Sequence, residues 1–378
     1  MGKILYFQWN SFMNAGIERA LQKMNIIYDT FCYQFADWEK DDVFCEQFEA
    51  KMKAGAYEAV FSINYAPLIS TVCARHDVRY ISWVYDCPIN IRRTEALKNK
   101  CNTIYFFDRI QAQHYMENGV EGAQHLPLAA DIDTFRTALA KDDNYACDVA
   151  FVGKMYKSDY SYISNYQDVY TKGYLEGIVE TQQKLYGGYI IDECINDNIM
   201  KHINENFANV SNGSYSVIKP EVTYALATEV TSRERVMALA LLQNRCNVNL
   251  YSTDVDERLN NVNNKGYIDY YSQMPKAFYN AKINLNISLK IIQSGIPLRV
   301  LDVLACKGFL ITNYQTEIME YFTPGKDLVV YEDIKDLIVK VQYYLDNEDE
   351  RLWIADNGYK KVKESFKVKD RISGILRN

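Results

Sequence analysis

The run Gly295-Ile296-Pro297-Leu298-Arg299-Val300-Leu301-Asp302 holds the residue types of an anion-binding helix start. Glycine lets backbone approach a ligand closely, and proline suits the first helical turn, where its missing N–H costs nothing. The open N–H groups of such a turn, together with the helix dipole, attract a diphosphate. Arg299 stands in the same turn, and a guanidinium grips phosphate oxygens in pairs. Cations are slightly disfavoured at a helix start, so its placement implies a bound anion or a carboxylate partner. About a turn and a half into the helix, Asp302 offers a carboxylate that accepts two hydrogen bonds, which suits vicinal ribose hydroxyls. An ordinary solvent-facing acid is the competing reading, and it fits poorly beside apolar Leu301, Val303 and Leu304.

Further candidates lie on neighbouring segments. Arg233 and Arg235 open a helical stretch at 231–243 and are candidates for the diphosphate, against a plain solvated face. Tyr251 and Tyr267, on or beside short strands, are candidates to stack on a base. Asn313 and Tyr314 follow a strand at 309–312 and can reach a sugar or phosphate. In the first half, Asp86 ends an apolar strand after Trp83 and Tyr85, and His125 lies at a second such end. Either can serve as general base on an acceptor hydroxyl. Asp254-Val255-Asp256 has the form of a metal-binding D-x-D. Its flanks, Ser252-Thr253 and Glu257-Arg258, make it a helix start with acids in the first turn, so no metal is expected.

The elements that must position these residues are legible as periodicity. Strand-like runs at 3–9, 26–33, 57–63, 78–85 and 103–107 alternate with helical patterns at 12–24, 38–54, 67–76 and 109–118. This rhythm implies a mostly parallel sheet covered on both faces. A polar linker at 134–144 precedes a second unit, opened by the buried strand at 147–153. A helical insertion at about 156–227 interrupts it. The rhythm resumes with a helix at 231–243, strands at 247–251, 267–268, 282–287 and 309–312, and helices at 334–346 and 348–365. The expected domains are 1–138 and 139–365, with a last helix at about 366–378 packing back on the first. The expected fold is α/β, two Rossmann-like domains facing a central cleft. Ligands of such sheets sit beyond the carboxyl ends of the strands.

Bulk composition narrows the class. The chain has 378 residues, 48% hydrophobic and 24% charged, and a net charge of -7. That is ordinary for a globular protein and argues against a nucleic-acid footprint. No signal-length apolar segment opens the chain, and no apolar run reaches membrane-spanning length, so a cytoplasmic protein is expected. The nine cysteines form no C-x-x-C pair, which leaves buried free thiols as the simplest reading.

The second half resembles the C-terminal domain of GT-B-fold glycosyltransferases, and more closely the spore-maturation-type (CgeB-like) glycosyltransferase family. The residues that carry the resemblance are Phe151-Val152-Gly153, Lys282–Ile287, Gly295–Arg299, the helix with Asp302, Gly308–Thr312, and Glu317-Ile318…Phe322…Gly325-Lys326-Asp327. In the first half they are Ser82–Pro88 and Leu126–Asp131. The resemblance implies a nucleotide-diphosphate sugar, a UDP-sugar first, bound by the second domain with no metal or other cofactor. It implies an acceptor, a protein, glycan or small molecule, on the first domain. Asp86, His125 and Arg299 are then the catalytic candidates. The donor set is Arg233, Arg235, Tyr251, Tyr267, Gly295, Ile296, Pro297, Arg299, Asp302 and Asn313. Retaining relatives place a glutamate eight positions before the ribose acid; here that position is Ser294. The departure keeps two other readings open, a nucleotide-sugar epimerase and a non-catalytic sugar-binding or scaffold protein.

Overall fold

The computed structural model describes residues 2–89, 91–213 and 215–377. Contacts divide the chain into two compact units. One is Met1–Thr134, Ser294–Leu301 and Val362–Asn378; the other is Phe135–Gln293 and Asp302–Lys361.

The first unit is built on six parallel strands: β1 (Ile4–Gln8), β2 (Tyr28–Cys32), β3 (Ala59–Ile63), β4 (Arg79–Val84), β5 (Asn102–Phe106) and β6 (Ala123–His125). Their order is β2-β1-β3-β4-β5-β6, so the winding reverses at β1 and β3. Strand β3 is buried along its whole length, as a central strand with helices on both faces must be. Edge strand β2 is half exposed. Helix starts carry their own signals: the Asp41 carboxylate accepts from the Phe44 N–H at 2.9 Å and caps the helix Asp42–Ala54. Phe7, Phe35, Phe44 and Phe48 fill one layer of the core. The last helix, Val368–Arg377, belongs to this unit and packs on the helix Asn14–Lys23. The Ala130 N–H donates to the Phe366 carbonyl at 3.0 Å, joining the two segments.

The second unit also has six parallel strands: β7 (Cys147–Val152), β8 (Val248–Tyr251), β9 (Asn263–Asn264), β10 (Ala281–Asn286), β11 (Leu310–Asn313) and β12 (Val329–Tyr331). Their order is β12-β11-β10-β7-β8-β9. Counted within the unit this is the 3-2-1-4-5-6 order of dinucleotide-binding sheets, with its switch point between β7 and β10.

Three sequence expectations are corrected here. The strand expected at 267–268 lies at Asn263–Asn264. The Lys265 N–H donates to the Leu250 carbonyl at 2.7 Å. Gly266 then turns into the left-handed region (φ 73°), which ends the extended run. The helix expected to begin at 231 is the last part of one 24-residue helix, Lys219–Leu242. Its first half buries Val222, Leu226 and Val230 in a helical core with Leu175, Ile199 and Phe207. Its second half buries Val236, Leu239 and Leu242 against the sheet. A helix serving two cores shows no break between them. The linker expected at 134–144 is partly helical, with a helix at Ile132–Ala138 and a short turn at Asp143–Tyr145.

Candidate functional site

In the second unit, the carboxyl ends of β7 and β10 are tied together by Arg235. Its guanidinium donates to the Lys154 carbonyl, just past β7, and twice to the Ile287 carbonyl, just past β10. It also lies over the rings of Phe151 and Tyr156, at 5.2 and 4.9 Å. The side chain is buried. Arg235 therefore braces the switch point. Arg233, two residues earlier, faces another way and pairs with Glu176 and with Glu229, the latter at 2.7 Å. Those partners raise its pKa, and its guanidinium in turn holds the Glu176 carboxyl below the usual range.

Asn313 joins Arg235 at this edge. Its side-chain carbonyl accepts from the Ser288 N–H at 2.8 Å, and its amide donates to the Tyr314 carbonyl at 3.0 Å. The chain after β10 and the chain after β11 are thereby held side by side. Lys290 follows closely and pairs with buried Glu234 at 2.8 Å. Burial pushes the Glu234 carboxyl up, and Lys290 opposes that. Lys154 is exposed at the end of β7.

Asp302 sits in the middle of the helix Leu298–Ala305 and is 1% exposed. Its Oδ1 accepts from the Tyr270 hydroxyl at 2.9 Å. Tyr251 is buried at the end of β8, its ring stacked on Tyr145 and its phenol pushed up to about 12 by burial. Tyr267 is 75% exposed and lies in the loop after β9. The two acids of the D-x-D separate in role. Asp254 accepts from the Met155 N–H at 2.6 Å, and Asp256 caps a short turn and pairs with Arg258 at 2.7 Å.

The segment Ser294–Leu301 clusters with the first unit. The N–H groups of Ser294 and Gly295 donate to the Asp108 carboxylate at 2.9 and 3.0 Å. The anion these two groups hold here is the chain's own. The close approach that glycine permits at Gly295 is likewise to the chain: a Cβ there would stand 2.9 Å from both the Asp108 Cα and the Phe107 ring. Ile296 and Pro297 are buried, and Arg299 is half-buried. Asp108 also caps the helix Arg109–Glu117 through the Gln111 N–H at 2.9 Å.

Asp86, Asp108 and His125 all lie at the carboxyl edge of the first sheet, at the ends of β4, β5 and β6. Asp86 is exposed, and the Asn64 amide donates to it at 2.7 Å. The Cys87 thiol beside it is pushed well up by burial and by the Asp108 and Asp86 charges, so it is no ready nucleophile. Asp108, Lys154 and Lys290 were not singled out by sequence. Asp108 did carry a signal, an acid directly before a helix. Lys154 follows Gly153, the residue directly after β7. Lys290 had none, because only folding brings it to Glu234.

Residues 233–377 match a family model described as glycosyl transferase-like. No curated protein matches the sequence. Among solved structures, a glycosyltransferase from Rickettsia africae is similar over 100% of this chain and 97% of its own, at 12% identity and a TM-score of 0.54. A sucrose-phosphate synthase from Thermosynechococcus elongatus is similar over 100% and 98%, at 10% identity and a TM-score of 0.56. The Anabaena protein HepE in complex with UDP-glucose is similar over 100% and 99%, at 9% identity and a TM-score of 0.53. The chain shares the two-sheet GT-B fold of these proteins. Among the described residues, no helix is long and apolar enough to cross a membrane.

Proposed function

We propose that the chain is a metal-independent glycosyltransferase that moves a hexose from a UDP-sugar to a hydroxyl acceptor. The observation that carries this is the match of residues 233–377 to a glycosyl transferase-like family. That stretch holds β10, β11 and the Asp302 helix of a sheet wound in the nucleotide-binding order. The complex of HepE with UDP-glucose supports the choice of nucleotide. The finer spore-maturation-type assignment rests on the motifs Gly295–Arg299 and Gly308–Thr312.

In this reading Asp302, oriented by Tyr270, accepts from the ribose hydroxyls. Tyr251 and Tyr267 remain the candidates for the base, and Asn313 for the sugar. Positive charge fixed beside the leaving diphosphate supplies the largest catalytic contribution. Lys154, just past β7, is the cation assigned to it within the second unit, and Arg299, after the Ile296-Pro297 turn, is the other candidate. Arg235 acts by holding the β7 and β10 ends in place, and Arg233 by holding the insertion. The Ser294 and Gly295 N–H groups face Asp108 and contribute by fixing the loop. The first unit takes the acceptor, with Asp86 or His125 as its base. Among the described residues the cysteines form no disulfide, which suits a reducing cytoplasm.

A thermal-shift screen with millimolar UDP, GDP, ADP, CDP and dTDP tests the proposal. UDP is expected to raise the melting temperature most, since a ligand that binds only the folded state stabilises it. A melting temperature unmoved by all five would overturn it.

A further inference from the structure

The first sheet has a switch point of its own, between β1 and β3, and the chain after β3 opens with Asn64. The Trp9 indole N–H spans that point by donating to the Ile63 carbonyl at 2.9 Å. Asn64 is buried and adopts φ 59°, the left-handed region. Asp77 and Asn212 take the same conformation to end helices. Asn64 follows a strand, so helix termination does not account for it. Strained backbone of this kind persists only where its surroundings hold it, and it concentrates at functional sites.

The surroundings hold Asn64 at each backbone and side-chain polar group. Its N–H donates to the Trp83 carbonyl at 2.9 Å, and its carbonyl accepts from the Ser62 hydroxyl at 2.6 Å. Ser62 Oγ also lies 2.7 Å from the Tyr80 hydroxyl, which accepts from the Ala66 N–H at 2.9 Å. The Ser62 proton points to Asn64, so Tyr80 donates to Ser62. Both Ser62 and Tyr80 are fully buried. On the side chain, Oδ1 accepts from the Tyr85 N–H at 2.7 Å. A backbone N–H only donates, so this contact fixes which end of the amide is oxygen. The amide nitrogen therefore faces Asp86 and donates to its Oδ2 at 2.7 Å.

These contacts decide the residue type. The backbone conformation admits glycine, asparagine and aspartate most readily. Glycine would remove the donor to Asp86, and aspartate would set two acceptors face to face. Asparagine serves both the turn and the carboxylate. Asp86 itself is exposed, and water alone would satisfy its oxygens. A buried and strained network that ends on an exposed carboxylate aims that group rather than filling a core.

We infer that Asn64 is the positioning residue of the acceptor base, and that this base is Asp86. This rests on the glycosyltransferase reading above. Asp86 takes the hydroxyl proton of the acceptor as the acceptor oxygen bonds to the anomeric carbon of the sugar. The bond from that carbon to the diphosphate breaks, and its electron pair leaves on UDP. Asn64 keeps the carboxylate in the geometry that this transfer needs.

Melting temperature and UDP release are read together on the full chain, with water as acceptor and UDP-glucose, UDP-galactose or UDP-N-acetylglucosamine as donor. Asn64→Asp keeps the backbone conformation and puts acceptor against acceptor. It is expected to lower the melting temperature by about 3 °C and the rate at least about tenfold. Asp86→Asn is expected to lower the rate about a hundredfold. The double variant Asn64→Asp, Asp86→Asn re-forms the hydrogen bond with donor and acceptor exchanged. Its melting temperature is expected within about 1 °C of wild type, while its rate stays as low as that of Asp86→Asn. A purely structural pair would recover both. Recovery of the rate in the double variant, an undiminished rate in Asp86→Asn, or a melting temperature that the exchange does not restore overturns the inference. Wild type that binds UDP but releases none from any of the three donors overturns it as well. Absence of UDP binding by wild type overturns the glycosyltransferase reading too.

Discussion

Arg235→Ala separates a brace from a ligand contact. The Ile287 carbonyl accepts from Nε at 3.2 Å and from Nη2 at 2.5 Å, and Ile287 is 1% exposed. Water cannot replace the guanidinium there, so losing a charged donor costs about 1.5–3 kcal/mol. The Lys154 carbonyl belongs to an exposed residue and is rehydrated at little cost. Contacts with the Phe151 and Tyr156 rings add about 1–2 kcal/mol at a desolvated site. The sum is about 2.5–5 kcal/mol. For a unit of this size each kcal/mol lowers the melting temperature by about 2–4 °C, which gives a fall of roughly 10 °C. Arg235→Lys, with one point-like ammonium, is expected to lose about half as much. The assay is circular dichroism melting of both variants beside wild type, with UDP affinity measured below the transition. A melting temperature within about 1 °C of wild type, combined with lost UDP binding, would refute the brace and make Arg235 a phosphate ligand.

Three other outcomes follow from the structure. Gly308→Ala brings a Cβ to 2.7 Å from Asn284 Nδ2 and 2.9 Å from both the Phe278 carbonyl and Val303 Cγ1. Overpacking of this kind costs about 1–3 kcal/mol, to be read from a denaturant midpoint. Tyr270→Phe removes the 2.9 Å donor to buried Asp302 and is expected to cost about 1.5–3 kcal/mol, measured the same way. Asp29 is held down to about 2 by hydrogen bonds from Lys3 and Tyr57. A depressed carboxyl contributes stability above its unfolded value of 3.8, lost as pH falls through the folded value. Wild type should thus lose its advantage over Asp29→Asn between pH 4 and pH 2, and a constant difference across that window would contradict it.

Periodicity placed the central strands because doubly covered strands are near-continuous apolar runs, as β3 is. Helix starts were legible where an acid precedes the helix. β9 was misplaced because two asparagines carry no strand pattern, and pairing with β8 alone makes them a strand. The helix Lys219–Leu242 was cut because its two halves bury opposite surroundings. The resemblance drew notice to Asp302, and its apolar neighbours agree with its burial. Arg235 was found as a cation but not as a brace, since its acceptors are backbone carbonyls far along the chain.

The central claim is that Asp302 and its helix serve a bound nucleotide. Calorimetric titration of UDP into wild type and Asp302→Ala tests this most directly. The account predicts saturable binding by wild type and at least about a tenfold weaker affinity in the variant, with both chains folded by circular dichroism. Equal affinities, or no heat of binding with wild type, would contradict it.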